Sequence, residues 1–451
     1  MRTATRLSLP GLLTVGFMMS LHASDMCSPL LRLTGDWQIE VRVPQGDQAT
    51  PMVCVVEVPP AAMIEVTGER YAALPLFDPA AGGWAMGAAL RGVRAQECTT
   101  KHLLDPESFV LKAGSDPESM VFEDGLDYAI DREWGTFGRL EGGRIAPNQP
   151  VHASYRHGLL RLDSIIRLPD GNIALRPGEA RSSNPRAPAL AAGETRLANL
   201  WLPGRIQRLD PDHLFPISES SFPEPPPSSP TTAEKYLPKT LAKLQAGGDI
   251  RILAWGDSVT DAGYLGHPET ERWQVQFVDR LRRIYPRARI SLTSAAWGGR
   301  TTVSFLEEPP GSEHNYQETV LAVRPDLVVS EFVNDAGLDP AGLDERYGRI
   351  LDDFRGIGAE WIILTPHYVR PDWMDLTKET GIDDDPRPYV KALRTFAAGN
   401  NVALADASLR YGRLWRQGLP VTSLMMNSIN HPDERGMRIF ADSLIALFGA
   451  E

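Results

Sequence analysis

Along the first half of the chain, apolar and polar residues alternate in twos; along the second half, short apolar runs take turns with stretches of three- and four-residue spacing. Trp37-Gln38-Ile39-Glu40-Val41-Arg42-Val43 shows the first pattern, and Val53 to Val58 and Met63 to Val66 resemble it. A period of two sends successive side chains to opposite faces of a strand, as in a half-buried sheet. Leu159 to Leu168 and Ile173 to Arg176 read as two strands around the turn Pro169-Asp170-Gly171-Asn172. The pattern predicts a β-rich, sandwich-like domain from Leu33 to about Leu202.

After that the texture changes. Arg251 to Ala254 predicts a buried strand, and Glu271 to Ile284 a helix with Trp273, Phe277, Leu281 and Ile284 on one face. Strands follow at Ala288 to Leu292, Asp326 to Ser330, Trp361 to Leu364 and Val402 to Ala405. Helices are expected at Glu234 to Gln245, Asn315 to Ala322, Asp344 to Phe354, Pro388 to Ala397 and Pro432 to Phe448. Five strands each followed by a helix imply a parallel sheet covered on both faces, with right-handed crossovers. Between the halves, Pro223, Pro225, Pro226, Pro227 and Pro230 stand among serines. Such a stretch cannot build a core and favours an extended connection. The expected organisation is therefore a signal segment at 1–23, a β-rich domain at 24–205, a Pro/Ser-rich linker at 206–232 and an α/β domain at 233–451.

The signal segment rests on Arg2 and Arg6, an apolar core from Leu7 to Leu21 and a cleavage site at His22-Ala23-Ser24. Pro10 and Gly11 interrupt that core, which argues against a membrane-spanning helix of about 20 apolar residues. Export to a periplasm or the extracellular space is the expectation, with no integral membrane anchor after cleavage. Asp25 and Met26 before Cys27 do not suit lipidation. Cys27, Cys54 and Cys98 are the only cysteines among 451 residues, so one disulfide with one thiol left over is expected, structural rather than reactive. A net charge of -12 disfavours nucleic acid and anionic membrane surfaces as partners.

The chemistry gathers in four blocks. Gly256-Asp257-Ser258 follows the first strand of the second half, Ala296-Trp297-Gly298-Gly299-Arg300-Thr301-Thr302 the second, and Glu331-Phe332-Val333-Asn334-Asp335 the third; Asn430-His431-Pro432 precedes the last helix. In order and content, roughly residues 245 to 451 resemble the SGNH (GDSL-like) hydrolase family. The resemblance implies a flavodoxin-like three-layer α/β/α sandwich, in agreement with the strand and helix pattern. It further implies Ser258 as nucleophile and His431 as its base, because a serine hydroxyl needs a base within hydrogen-bond reach. The oxyanion hole would comprise the backbone N–H of Ser258, that of Gly299 and the side-chain amide of Asn334. Gly298 is the alternative register for the second donor, and His314 and His367 are fallback bases. No metal-ligand cluster, phosphate-binding loop or nucleotide fingerprint is present in the sequence, and no cofactor is inferred.

Two positions depart from the family pattern. Phe332 stands where the family has a glycine two residues ahead of the asparagine. Ser428 stands three residues before His431, where the family carries the aspartate that orients the imidazole. Either a Ser-His dyad operates, the preferred reading, or another acid reaches His431; the adjacent Asp433 and Glu434 suit capping of the last helix better. Functionally, the chain reads as an exported serine esterase that removes acyl groups, acetyl foremost, from a carbohydrate or a similar polar ester. A lipid or thioester hydrolase and an O-acyltransferase fit the same fold, and a catalytically impaired glycan-binding protein is the reading from another class. Trp84, Trp134, Tyr128 and Tyr155 could offer a sugar-stacking face, although aromatics in a β-domain more often fill its core.

Overall fold

The structure, a computed structural model, describes residues 29–449 apart from 46, 47 and 227. The signal segment 1–23 and Cys27 therefore lie outside the described residues.

Among the described residues, the second half holds a five-stranded sheet whose neighbours are all parallel. Across it stand Arg289–Ala296, Asp249–Gly256, Leu327–Glu331, Glu360–Leu364 and Ala403–Ala405. The chain leaves Asp249–Gly256 for one side and then crosses to the other, so the order reverses at this strand, where open α/β sheets place their ligands. Strand alternation divides the core: Ile250, Ile252 and Ala254 face one layer, Leu253 and Trp255 the other. The first layer is closed by helices Pro238–Ala246, Trp273–Ile284 and Glu434–Ala446 through Leu241, Phe277 and Phe440. The second is closed by Pro340–Ile357 and Pro388–Asn400 through Tyr347, Phe354 and Phe396. This is the expected three-layer sandwich.

Several boundaries shift. Pro238 cannot donate a backbone hydrogen bond, and the expected helix from Glu234 divides into Thr232–Tyr236 and Pro238–Ala246 around Leu237. The segment Asn315 to Ala322 forms only a wide π-type turn, Gln317–Leu321.

The N-terminal half is built from antiparallel strands. Its four-stranded sheet, Ile173–Arg176, Leu160–Arg167, Thr195–Pro203 and Leu214–Pro216, is covered on both faces. Leu200 and Leu202 pack with Ile39, Val41 and Val56 from the first strands, whereas Trp201 points the other way, into a cluster with Phe137 and Tyr155. Tyr128 and Tyr155 are core residues here.

The stretch 206–232 is not uniform. Leu214–Pro216 pairs with Ala198 to Leu200 because Leu214 and Phe215 are apolar enough to be buried there. The proline-rich remainder lies on the α/β domain: Ser218 N donates to Arg416 O at 2.8 Å, Glu219 pairs with Arg413, and Glu224 with Arg410. Cys54 and Cys98 are both free thiols. Although Cys98 is far from the four blocks in sequence, its Sγ donates to Asn427 O at 3.1 Å, four residues before His431. Burial pushes this thiol up to about 12, so it stays neutral.

Candidate active site

Register brings the first three blocks to one height. Gly256 aligns with Ala296 on one side and Glu331 on the other, so the loops that follow all leave the same edge of the sheet. Gly256 can carry no side chain there, since a Cβ would stand 2.1 Å from Thr260 Oγ1 and 2.4 Å from Glu331 O. Ser258 then opens the short helix Ser258–Asp261, where its N–H has no intrahelical acceptor.

Asp257 ties the first and third blocks together. It is buried, its Oδ1 accepts from Val259 N at 3.0 Å, and its Oδ2 accepts from both Asn334 N and Asn334 Nδ2 at 3.0 Å. Asn334 is thereby fixed on the turn Val333–Gly337 beside Ser258, with its second amide hydrogen left for another acceptor. Burial pushes the Asp257 carboxyl up, against the pull of these donors. Asp335 performs the same service for the second block: its carboxylate accepts from Thr302 Oγ1 at 2.7 Å and Thr302 N at 3.1 Å.

The glycine pair lies in the turn Trp297–Arg300, closed by Arg300 N to Trp297 O at 3.3 Å. Gly299 has φ +71°, the left-handed region that glycine enters without strain. Gly298 is the one set against the serine, since a Cβ on it would lie 3.8 Å from Ser258 Cβ. Phe332 points away from this edge, buried against Trp255 at a ring distance of 4.9 Å, so the bulk that replaces glycine goes into the core.

His431 arrives from the tail. Its Nε2 is 3.1 Å from Ser258 Oγ, and its ring stacks on Tyr264 at 4.2 Å with the planes parallel to within 1°. Asn427 holds the loop: its Oδ1 accepts from the N–H groups of Ile429, Asn430 and His431 at 3.0, 2.9 and 3.0 Å. The fallback bases are engaged elsewhere. His367 is buried with Nε2 2.7 Å from Asn430 O, and burial lowers it to about 3, so it stays neutral; His314 stacks on Trp297 at 4.4 Å.

The other nitrogen of His431 meets the N-terminal domain. Glu97 Oε1 lies 2.7 Å from His431 Nδ1, out of line with the N–H direction, and also accepts from Asn427 Nδ2 at 2.8 Å. Asp433 and Glu434 do not reach the imidazole: Asp433 accepts from Arg435 N and Gly436 N as the helix cap, and Glu434 pairs with Arg186 at 2.7 Å. Sequence spacing gave no signal for Glu97, which is 334 positions before the histidine it meets. Asp257, Asn427 and Tyr264 were likewise missed, because their roles are contacts rather than motifs.

Beyond His431 the interface carries aromatic rings. Arg370 N donates to Ile429 O at 2.8 Å, and the Arg370 guanidinium lies 4.7 Å over the Trp134 ring. Trp84 stands 5.4 Å from both Trp134 and Trp373, and Trp373 is 45% exposed.

Residues 254–439 match the model of the GDSL-like lipase/acylhydrolase family. No curated protein matches the chain. Among solved structures, the chain is similar to Axe2, an acetyl-xylooligosaccharide esterase from Geobacillus stearmophilus, at 19% identity and TM-score 0.36, over 45% of this chain and 95% of that one. It is similar to a two-domain esterase active on acetylated mannans at 16% identity and TM-score 0.38, over 49% of this chain and 54% of that one. A third, a member of the lipolytic G-D-S-L family from Veillonella parvula, shares 18% identity at TM-score 0.33, over 45% of this chain and 99% of that one. The C-terminal half of the chain is a GDSL-like lipase/acylhydrolase domain, and the protein is a carboxylic ester hydrolase.

Proposed function

We propose that this protein is an exported serine esterase that removes short acyl groups, acetyl foremost, from a carbohydrate, with Ser258 as nucleophile and His431 as general base. The observation that carries the reading is the 3.1 Å approach of His431 Nε2 to Ser258 Oγ. In the first half-reaction Oγ attacks the ester carbonyl carbon as its proton passes to Nε2. The oxyanion that forms is met by N–H donors from Ser258, Gly299 and Asn334 Nδ2. Collapse breaks the bond to the sugar oxygen, which leaves with the proton from His431. Water then repeats the sequence on the acyl-serine, releasing the acid and restoring the serine.

The carbohydrate reading is supported by the exposed indole of Trp373 with Trp84 behind it, joined to the His431 loop through Arg370 and Ile429. Indole faces stack on sugar rings and leave their hydroxyls free for polar groups. Export is supported by the basic start and apolar core of residues 2–21.

The test is hydrolysis of a p-nitrophenyl ester series and acetate release from acetylated oligosaccharides by the mature chain, beside Ser258→Ala. The expected result is a preference for acetate and a loss of at least about 10⁴-fold in kcat for the variant. Equal rates for the two proteins would leave the glycan-binding reading standing instead.

A further inference from the structure

We propose that Glu97, carried by the N-terminal domain, is the positioning acid of the active site, so that the Ser258–His431 pair is completed across the domain boundary. The inference rests on the serine esterase reading above and deepens it.

The first ground is geometry. Glu97 Oε1 stands 2.7 Å from His431 Nδ1, while Nε2 of the same ring faces Ser258 Oγ. A carboxylate on one nitrogen holds the tautomer in which the other can take a proton, and stabilises the imidazolium that results. The contact lies out of line, and catalytic hydrogen bonds in a structure without substrate are often poorly aligned and tighten as substrate binds.

The second ground is that Glu97 is held there. It sits at the tip of a tight hairpin in which Arg94 bridges Thr99 and Ala95 N donates to Cys98 O at 2.9 Å. On both sides the hairpin is fastened to the histidine loop: Asn427 Nδ2 donates to Glu97 Oε1, Cys98 Sγ donates to Asn427 O, and Ser428 Oγ lies 2.8 Å from Thr100 Oγ1. Asn427 thus reaches both partners of the contact, with its Oδ1 on the His431 N–H and its Nδ2 on the carboxylate.

The third ground is the vacancy in the sequence pattern. Where the family resemblance would place aspartate stands Ser428, whose side chain faces Thr100 rather than the imidazole. The groups that face His431 from the packed elements are Ser258, the Tyr264 ring and Glu97, with His367 behind the Asn430 carbonyl and Asp257 beneath the serine. Of the carboxylates among them, Glu97 is the one at Nδ1. Burial alone would raise its carboxyl; the contacts with His431 and Asn427 outweigh that and hold it below the ordinary range, charged as the role requires.

The experiment compares full-length wild type, Glu97→Gln, Glu97→Asp and Ser258→Ala on p-nitrophenyl acetate, with thermal melting of each. Glu97→Gln keeps the shape and an acceptor for Asn427 but not the charge. Because the Glu97 side chain is 44% exposed and partly screened, its loss should cost less than the roughly 10⁴-fold seen where a buried triad acid is neutralised. The expected result is a fall in kcat of about 10- to 10³-fold with KM within about twofold and an unchanged melting point, partly recovered in Glu97→Asp. Wild-type kcat in Glu97→Gln together with a dead Ser258→Ala would overturn the role of Glu97 and leave the esterase reading intact. Equal losses in the Gln and Asp variants that track a lowered melting point would overturn it too, in favour of a structural contact. Full activity in Ser258→Ala would remove the esterase reading itself.

Discussion

Thr100 Oγ1 and Ser428 Oγ lie 2.8 Å apart, both buried, one on each domain. Thr100 has one hydroxyl hydrogen, and it goes to Ser182 O at 2.5 Å, so Ser428 is the donor in the pair. An aspartate at 428 would present lone pairs to lone pairs. Ser428→Asp, which restores the residue typical of the family, is therefore expected to destabilise by about 1–3 kcal/mol and not to raise kcat, alone or with Glu97→Gln. Thermal melting and steady-state rates check both parts; rescue of Glu97→Gln by the aspartate would sink the argument.

Asn334 is clamped by Asp257 through its backbone N–H and one side-chain hydrogen. Asn334→Ala is expected to lower kcat by about 10²–10³-fold with little change in KM, as for loss of one oxyanion donor. Asn334→Asp should do no better, because it places a second acid beside Asp257 and removes the donor. A KM effect without a kcat effect would assign Asn334 to substrate binding instead.

Asn427 supplies one oxygen to three successive N–H groups, and its removal leaves buried donors without an acceptor. Asn427→Ala is expected to destabilise by about 1–3 kcal/mol and to lower kcat as His431 loses its register. Phosphonate labelling of Ser258 should slow in parallel with turnover, since both need the base. Labelling at the wild-type rate would show that the loop keeps its shape without Asn427.

Phe332 fills the core beneath the site against Trp255 and Phe305. Phe332→Ala should cost about 3–5 kcal/mol in urea unfolding, the usual range for truncating a buried aromatic. A loss below 1 kcal/mol, on the order of a surface change, would mean the site collapses around the gap.

Lys101 joins the domains, 2.9 Å from Glu133 on its own side and 3.6 Å from Asp372 on the other. Lys101 holds the Glu133 carboxyl low; for Asp372 burial would raise it, but Arg370 and Lys101 outweigh burial and lower it. Carboxyls depressed in the folded protein add stability above their unfolded pKa of about 4, and that stability is lost as pH falls through the folded values. Lys101→Met should thus be less stable than wild type at pH 7, by at most about 1 kcal/mol because these carboxylates are largely exposed. The gap should narrow as pH falls below the unfolded carboxyl value of about 4. Melting curves across that range read it directly, and a gap that widened in acid would contradict the sign.

By itself the sequence determined the C-terminal sandwich, the sheet edge where its loops gather and the serine and histidine that meet there. Buried parallel strands write themselves as short apolar runs, and the four blocks keep a fixed order along the chain. The family likeness implied Gly299 and Asn334 as oxyanion donors; in the structure Gly298 is the glycine set against Ser258, and Asn334 is held by Asp257. What only the tertiary structure decided is the third partner of the imidazole, the destination of Ser428 and the bulk of Phe332. A carboxylate at Nδ1 has to satisfy a distance, not a spacing, and Glu97 satisfies it from a hairpin in another domain. The period-two pattern of the N-terminal half likewise announced strands but not which of them would stack, because alternation fixes the faces of a strand and leaves its neighbours to packing.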